Sequence, residues 1–253
     1  MNNQLTRYER IADQKRLNFI TQTVIKKLKG DGRVLDIGCG NGIISSHIGQ
    51  YGIDVTGIDV SEKAIVKARE NNPFPNVKYR AQSAEGIVAS GEQFDIIICS
   101  EVLEHLNDPN ALVNVLYNSL KDGGSLIVTV PNGFGPREKF VTKPVLYLKK
   151  KNGALWKTLC GIKNALGYSG TTVQSSADNL DHIQFFRLRD LHRIAKNNHF
   201  YITTLRKANF IEDVFPFSII TKRITLIQKI DCKLADWLPS SFTGGFFTIW
   251  EKR

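Results

Sequence analysis

The 253-residue chain has four cysteines, Cys39, Cys99, Cys160 and Cys232, and they lie far apart with no CxxC pair among them. That spacing carries neither the signature of a zinc site nor that of a disulfide framework, and a reducing compartment is the expectation. Met1-Asn2-Asn3-Gln4 begins no apolar signal segment. The most apolar late run, 215–230, is interrupted by Lys222, Arg223 and Lys229, so no transmembrane helix is expected. Internal repeats and low-complexity tracts are missing as well. The one glycine-rich turn that follows an apolar run lacks a Gly-Lys-Ser/Thr ending, which argues against a phosphate-cradling P-loop. It also has Ile43 where the dinucleotide fingerprint puts its third glycine.

Acidic residues are scarce in one region. Between Arg137 and Tyr168, eight basic side chains stand against a single acid, Glu138, in a chain of formal net charge +10. A local basic surface of this kind suits an anionic partner: a membrane, a phosphorylated carrier or a nucleic acid. A solvated face without a partner is the alternative. Within the same region Leu155, Leu159, Ile162 and Leu166 recur at helical spacing beside Trp156, Lys157 and Lys163. They read as a basic amphipathic helix, serving as a lid, as a membrane contact, or as both.

The chain is organised around Arg33-Val34-Leu35-Asp36-Ile37-Gly38-Cys39-Gly40-Asn41-Gly42. Val34, Leu35 and Ile37 suit a strand buried on both faces of a parallel sheet. Three glycines at alternate positions then allow a tight turn and the approach of a ligand to bare backbone. A helix follows from Ile43. Further strands are expected over 53–59, 77–81, 94–100, 125–130, 200–205 and 245–250. Between them lie a helix capped by Ser61, with Ala64, Ile65 and Ala68 inward, a helix from Pro109 to Leu120 ended by Gly123-Gly124, and a helix that Phe185 to Leu191 leads into. An N-terminal helix over 5–28 puts Leu17, Ile20, Val24 and Leu28 on one side. A last helix over 216–237 has Ile220, Ile224, Ile227 and Leu234 at helical spacing. Alternation of strands and helices argues for a parallel sheet with right-handed crossovers. Asp59 ends the second strand about 20 residues past the turn, where an acid can accept both hydroxyls of a ribose.

The glycine stretch, with Asp36 two residues before Gly38 and with Asp59, resembles the first motifs of the class I S-adenosylmethionine-dependent methyltransferases. The resemblance is close over residues 30–133 and looser elsewhere. It implies a single α/β domain over 1–253: a Rossmann-like, seven-stranded, mostly parallel sheet flanked by helices, with helical insertions after the fifth and sixth strands. Residues 1–30 form the N-terminal helix, 31–133 the cofactor-binding core, 134–180 the basic insertion, and 181–253 the rest of the sheet, its closing strand antiparallel between the fifth and sixth. The cofactor implied is S-adenosyl-L-methionine, held by Asp36, Gly38, Cys39, Gly40, Asn41 and Gly42 of the first motif, Asp59 and Val60 after the second strand, Ser83 and Ala84 at the adenine, and Ser100 and Glu101 after the fourth strand.

Transfer of a methyl group to oxygen requires alignment of the reactants and removal of the hydroxyl proton by a base or a metal. Glu101-Val102-Leu103-Glu104-His105 follows the fourth strand, and His182 follows the insertion. The run resembles that of ubiquinone-biosynthesis O-methyltransferases and of small-RNA 3′-terminal 2′-O-methyltransferases. On that resemblance Glu101, Glu104, His105 and His182 would bind Mg²⁺ or Mn²⁺; otherwise His105 or His182 serves as base or substrate holder. The basic insertion, Asp181-His182-Ile183-Gln184-Phe185-Phe186, and the ending Leu238-Pro239…Gly244-Gly245-Phe246-Phe247 resemble bacterial enzymes that methylate sugars, glycolipids or polysaccharide precursors. The expectation is therefore O-methylation of such a small or lipid-linked acceptor. A prenylated quinone precursor is the nearest rival, RNA a third, and a cofactor-binding scaffold the non-enzymatic alternative. The location implied is cytoplasmic, with peripheral contact at the inner membrane surface through 137–168.

Overall fold

The computed structural model describes residues 8–28, 30–137, 139–140, 147, 183–212, 214, 217, 221 and 224–252. His182 and the helix expected around Leu155 to Leu166 lie outside the described residues. The described elements run in the order α1 Ile11–Lys27, β1 Arg33–Ile37, α2 Ile43–Gly49, β2 Asp54–Asp59, α3 Glu62–Glu70, β3 Val77–Ala81, α4 Ala84–Ser90, β4 Phe94–Ser100, α5 Pro109–Ser119, β5 Leu120–Pro131, α6 Leu188–Asn197, β6 Phe200–Lys207, α7 Thr225–Trp237 and β7 Gly245–Lys252. One seven-stranded sheet results, in the order β3-β2-β1-β4-β5-β7-β6. The first five strands are parallel, and β7 pairs antiparallel with both β5 and β6. This is the seven-stranded, mostly parallel α/β sheet that the sequence predicts.

The centre of the sheet is apolar on both faces because helices cover both. Side chains of a strand point alternately to opposite faces, so β1 and β4 feed two cores at once. Leu35, Ile37, Ile97 and Cys99 face Ile87 of α4, Leu116 of α5 and Leu191 of α6. Val34, Ile96 and Ile98 face Ile20 of α1, Ile48 of α2 and Ile65 of α3. Two caps fix where helices start: Ser61 Oγ accepts the Ala64 N–H at 3.3 Å, and Asp108 Oδ1 accepts the Asn110 N–H at 2.9 Å. Both residues supply an acceptor to backbone donors that the helix leaves unpaired.

Several expectations about elements need correction. Helix α1 begins at Ile11, after residues 8–10 that the sequence placed inside it. Helix α5 stops at Ser119, and β5 begins at once, at Leu120 rather than Ser125. The two strands pair at Phe94–Leu120 and again at Ile96–Ser125. The glycines that suggested a helix end therefore sit in the irregular stretch between those pairs. Helix α6 starts at Leu188, because Phe186 bridges Asn132 in an isolated parallel pair instead. A further correction concerns the last helix, expected over 216–237: α7 begins at Thr225, after a non-helical Ile224. Its buried residues are Gln228, Asp231, Cys232 and Ala235, whereas Ile224 and Leu234, two of the apolar residues at helical spacing, are exposed and Ile227 is only half-buried. Periodicity finds a stripe but not its direction. Here polar obligations decide: Asp231 accepts backbone N–H groups from Phe210 at 2.8 Å, Ile211 at 2.9 Å and Glu212 at 3.3 Å. Gln228 accepts the Ile11 N–H at 3.0 Å and donates to the Thr221 carbonyl at 2.9 Å. Buried backbone groups need such partners.

The chain leaves the sheet at Gly133, whose N–H donates to the Phe186 carbonyl at 3.0 Å. Both ends of the intervening segment thus meet, and the Arg187 guanidinium lies over the Phe134 ring, 3.7 Å from its centroid.

Candidate active site

A cavity of about 610 Å³ opens at the C-terminal ends of β1, β2, β3 and β4, where ligands of open α/β sheets bind. Its floor is the glycine turn. Gly38 and Gly40 have φ of +66° and +54°, a left-handed region where side chains are disfavoured. A Cβ on Gly38 would lie 2.5 Å from Val102 Cγ2, whereas one on Gly40 would meet nothing within 4 Å. Gly38 is therefore required by packing. Gly40, a wall residue of the cavity, keeps backbone bare toward open space.

Asp59 ties this turn to the next. Its Oδ2 accepts the Gly40 N–H at 2.9 Å and its Oδ1 the Ser61 N–H at 2.9 Å. Each carboxylate oxygen retains a second lone pair, so the group on the wall can still accept two hydroxyls. Val60, 77% exposed, stands beside it. Ser83 and Ala84 at the start of α4, with Gln82, form another wall. The Gln82 N–H donates to the Asp59 carbonyl at 3.0 Å, which holds the two loops side by side.

Of the twelve expected cofactor-binding residues, Gly38, Gly40, Asp59, Val60, Ser83, Ala84, Ser100 and Glu101 line the cavity, while Asp36, Cys39, Asn41 and Gly42 do not. Strand alternation explains Asp36: it shares the face of Val34 and so points toward α2. There it is 1% exposed and accepts a 2.6 Å hydrogen bond from Ser45 Oγ. Cys39 is buried too, its N–H donating to the Ile58 carbonyl at 3.0 Å, and the Gly42 carbonyl accepts from Tyr79 Oη at 3.0 Å. Asp36, Cys39 and Gly42 shape the turn from beneath.

Burial raises the Asp36 carboxyl to about 7, with the nearby Asp59 charge adding to the rise and the Ser45 hydrogen bond opposing it. In the native state the group therefore holds its proton between about pH 4 and 7, whereas in an unfolded chain it would release it. Its contribution to stability is full below pH 4 and is lost as pH climbs to about 7, by on the order of 4 kcal/mol for a shift of about three units. Asp36→Asn, which cannot titrate, is expected to lack this loss. Denaturant titrations of the two proteins at pH 4, 5.5 and 7 check it, and a pH-independent difference between them would refute it.

The last wall follows β4. Glu101 has φ of +58°, one of two described non-glycine residues with positive φ. It is held there on three sides: its N–H donates to the Thr129 carbonyl at 2.9 Å, Thr129 Oγ1 donates to Oε1 at 3.0 Å, and Arg16 Nη1 lies 3.4 Å from Oε2. A residue kept in a disfavoured region by its surroundings is a frequent mark of a functional site. Arg16 lies on α1, 6% exposed, and also pairs with Asp13 at 3.2 Å. No periodicity singles it out, since it lies beside the apolar side of its helix. Glu104 is 1% exposed, and among the described residues neither carboxylate oxygen has a hydrogen-bond partner. Burial, then the negative charge of Glu101, raises its carboxyl well above the usual range. His105 Nε2 lies 3.9 Å from Glu104 Oε1. The Glu104 carbonyl accepts N–H groups from Ile183 at 2.8 Å and Gln184 at 2.9 Å, so the described chain resumes after the insertion directly on this turn.

Among the described residues no three His, Cys, Asp or Glu side chains form a group that could hold a metal ion. Glu101, Glu104 and His105 share a wall, but Glu101 is engaged by Arg16 and Thr129. The fourth expected ligand, His182, lies outside the described residues. The described part of the expected metal site therefore does not fit an ion by itself.

A family profile described as a methyltransferase domain matches residues 6–205. The ubiquinone biosynthesis O-methyltransferase of Pseudomonas fluorescens (strain Pf0-1) is 38% identical over 120 residues, 46% of this chain and 50% of that protein. Its namesake from Coxiella burnetii is 36% identical over 119 residues, with the same coverage of each. The chain thus spans about half the length of the curated relatives it matches. Among solved structures, magnesium protoporphyrin IX methyltransferase from Synechocystis PCC 6803 superposes with a TM-score of 0.55 at 15% identity, covering 96% of this chain and 81% of that one. A S-adenosylmethionine-dependent methyltransferase from Methanosarcina mazei gives 0.58 at 19%, covering 91% and 96%. The cyclase SpnF gives 0.57 at 17%, covering 97% and 85%. At such identities the likeness speaks for the fold alone.

Proposed function

From the premise that this chain belongs to the S-adenosylmethionine-dependent methyltransferases, within the methyltransferase-domain family, we propose that it methylates a hydroxyl oxygen of a phenolic, quinone-precursor-type acceptor. The observation that carries this reading is the buried Glu104 carboxyl, without a hydrogen-bond partner among the described residues, beside His105 on a cavity wall. An alcohol or phenol must lose a proton as it is methylated, and a group within reach must take it.

The described residues fit the cofactor. The open space above Gly40 accepts a bulky ligand against bare backbone, and Asp59 offers two acceptors to a ribose. When bound, S-adenosylmethionine supplies an electrophilic methyl group on a sulfonium. The remaining work falls to the chain. Asp59 and the glycine turn orient, the Ser83–Ala84 wall encloses, and His105 Nε2 takes the acceptor proton. The proton of the acceptor hydroxyl ends on His105 Nε2, and the positive charge so formed, 3.9 Å from Glu104, opposes the rise that burial and Glu101 impose on that carboxyl.

The relatives that match at 36–38% are named for ubiquinone biosynthesis, and they support a phenolic acceptor over the sugar or glycolipid acceptor expected from the sequence, which no relative cited above supports. The test is an in vitro assay with methyl-labelled cofactor and a panel of a catechol bearing an alkyl tail, a lipid-linked sugar and a short RNA. Label in a methyl ether of the catechol is the expected result. Label in the sugar or RNA alone would overturn the acceptor, and label in none of them would overturn the proposal.

A further inference from the structure

Helix α7 is amphipathic the wrong way round for a packed helix. Its polar side is buried and its apolar side faces out. Leu226, Ile230, Leu234 and Trp237 are 66%, 49%, 49% and 89% exposed. Their spacing of four, four and three places them within an arc of about 80° at 3.6 residues per turn. The buried Gln228, Asp231, Cys232 and Ala235 occupy the opposite side. Anchorage is firm: besides the contacts of Asp231 and Gln228, Lys15 Nζ donates to the Cys232 carbonyl at 2.9 Å and to Asp236 Oδ1 at 2.9 Å. The outward direction of the stripe is thus fixed by hydrogen bonds on its back, and contiguous exposed apolar side chains mark interaction sites.

We infer that this face of α7 docks on an anionic lipid bilayer, lying flat in the interface. Charge complementarity selects the occupant. Lys229 and Lys233 flank the stripe, are exposed and have no ion pair among the described residues. The two acids of the helix are both engaged, Asp231 by backbone donors and Asp236 by Lys15. The outward surface is therefore apolar with a basic margin, the pattern of an interfacial helix. Trp237, the most exposed of the four, is a residue type that settles at the headgroup level. A second copy fits less well. Its lysines would face these lysines in a chain of net charge +10, and four side chains fall far short of the 20–30 residues a side of a stable interface. The inference is independent of the acceptor, and it concerns a contact on α7 separate from the one expected through 137–168.

Flotation of the full chain with vesicles of phosphatidylglycerol and phosphatidylcholine, against phosphatidylcholine alone, tests it. The wild-type protein is expected to float with the anionic vesicles at low salt and to release as salt rises, since surface charges are screened over about 8–10 Å near physiological ionic strength. Leu226→Gln/Ile230→Gln/Leu234→Gln is expected to lower the bound fraction at least about tenfold, with circular dichroism and cofactor binding unchanged. Trp237 emission should shift to the blue on binding, a shift absent in Trp237→Phe. Lys229→Glu/Lys233→Glu, which leaves the stripe intact, should abolish binding to anionic vesicles. Failure of the wild type to float, equal binding by both multiple variants and the wild type, or a wild-type dimer that the triple variant dissolves would each overturn the inference.

Discussion

His105→Ala is expected to lower kcat by about 10²–10⁴-fold, the usual range for loss of a positioned acid–base group, with cofactor affinity unchanged. The residue lines the cavity on the wall that follows β4, away from the Asp59 side that receives the ribose. A residue that only shaped its loop would disturb binding and turnover together. Glu104→Gln separates the two members of the pair. It keeps the shape of a side chain that is 1% exposed but removes its ability to become a carboxylate. Its expected effect is a fall in kcat of about 10-fold or more, together with an altered pH–rate profile. Normal kcat in both variants would remove the pair from the chemistry and leave it as packing. Single-turnover measurements, which isolate the chemical step from product release, are the appropriate readout.

Gly40→Val is expected to abolish measurable cofactor binding while the protein still folds. At φ of +54° a side chain pays about 1–2 kcal/mol of backbone strain, a loss that a sheet with two cores can absorb. Its Cβ meets nothing within 4 Å, so the branched side chain would occupy the space that the ligand needs. Asp59→Ala should weaken binding by about 1.5–3 kcal/mol, or roughly 10- to 150-fold, from the loss of hydrogen bonds to a charged group. Asp59→Asn should fall between, since it keeps one acceptor. Isothermal titration with S-adenosylmethionine checks all three. Unchanged affinity in Asp59→Ala, with native circular dichroism, would take the ribose away from this residue. In the opposite direction, Gly38→Ala should destabilise the fold, because its Cβ would lie 2.5 Å from Val102.

Much of the sheet could be read from the chain, and the reason is local. The strands Val77–Ala81 and Phe94–Ser100 were bounded to the residue, since each is a short apolar or alternating run flanked by polar or turn residues. Asp59 and the glycines were also legible, because a turn that needs positive φ advertises itself through glycine. What could not be read depends on partners distant in sequence. Arg16 meets Glu101 across 85 positions, and the direction of α7 is decided by Lys15 and by backbone donors at 210–212. Asp36 was expected at the ligand because it adjoins the glycines. Counting by twos from Val34 would have placed it on the α2 side, and that signal was available. Helix α4, seven residues long with only Ala84 and Ile87 buried, has too few inward apolar positions for a periodic signal.

The hydrogen bond between Gly133 and Phe186 has a consequence for how such chains diversify. The described ends of the segment between the two residues are already closed at the sheet, and the entropy of closing a loop grows slowly, by about 0.6 kcal/mol per doubling of length. A replacement of different length or composition could be spliced in there at little entropic cost, because the closing bond lies beyond the strand ends. The same bond sits beside the turn of Glu104, through Ile183 and Gln184, so the downstream end of whatever is spliced in joins the wall that carries Glu104 and His105. Recombination at this junction would exchange one acceptor for another while the cofactor half is inherited intact. It is also the natural seam for building chimaeras between this chain and others of its fold.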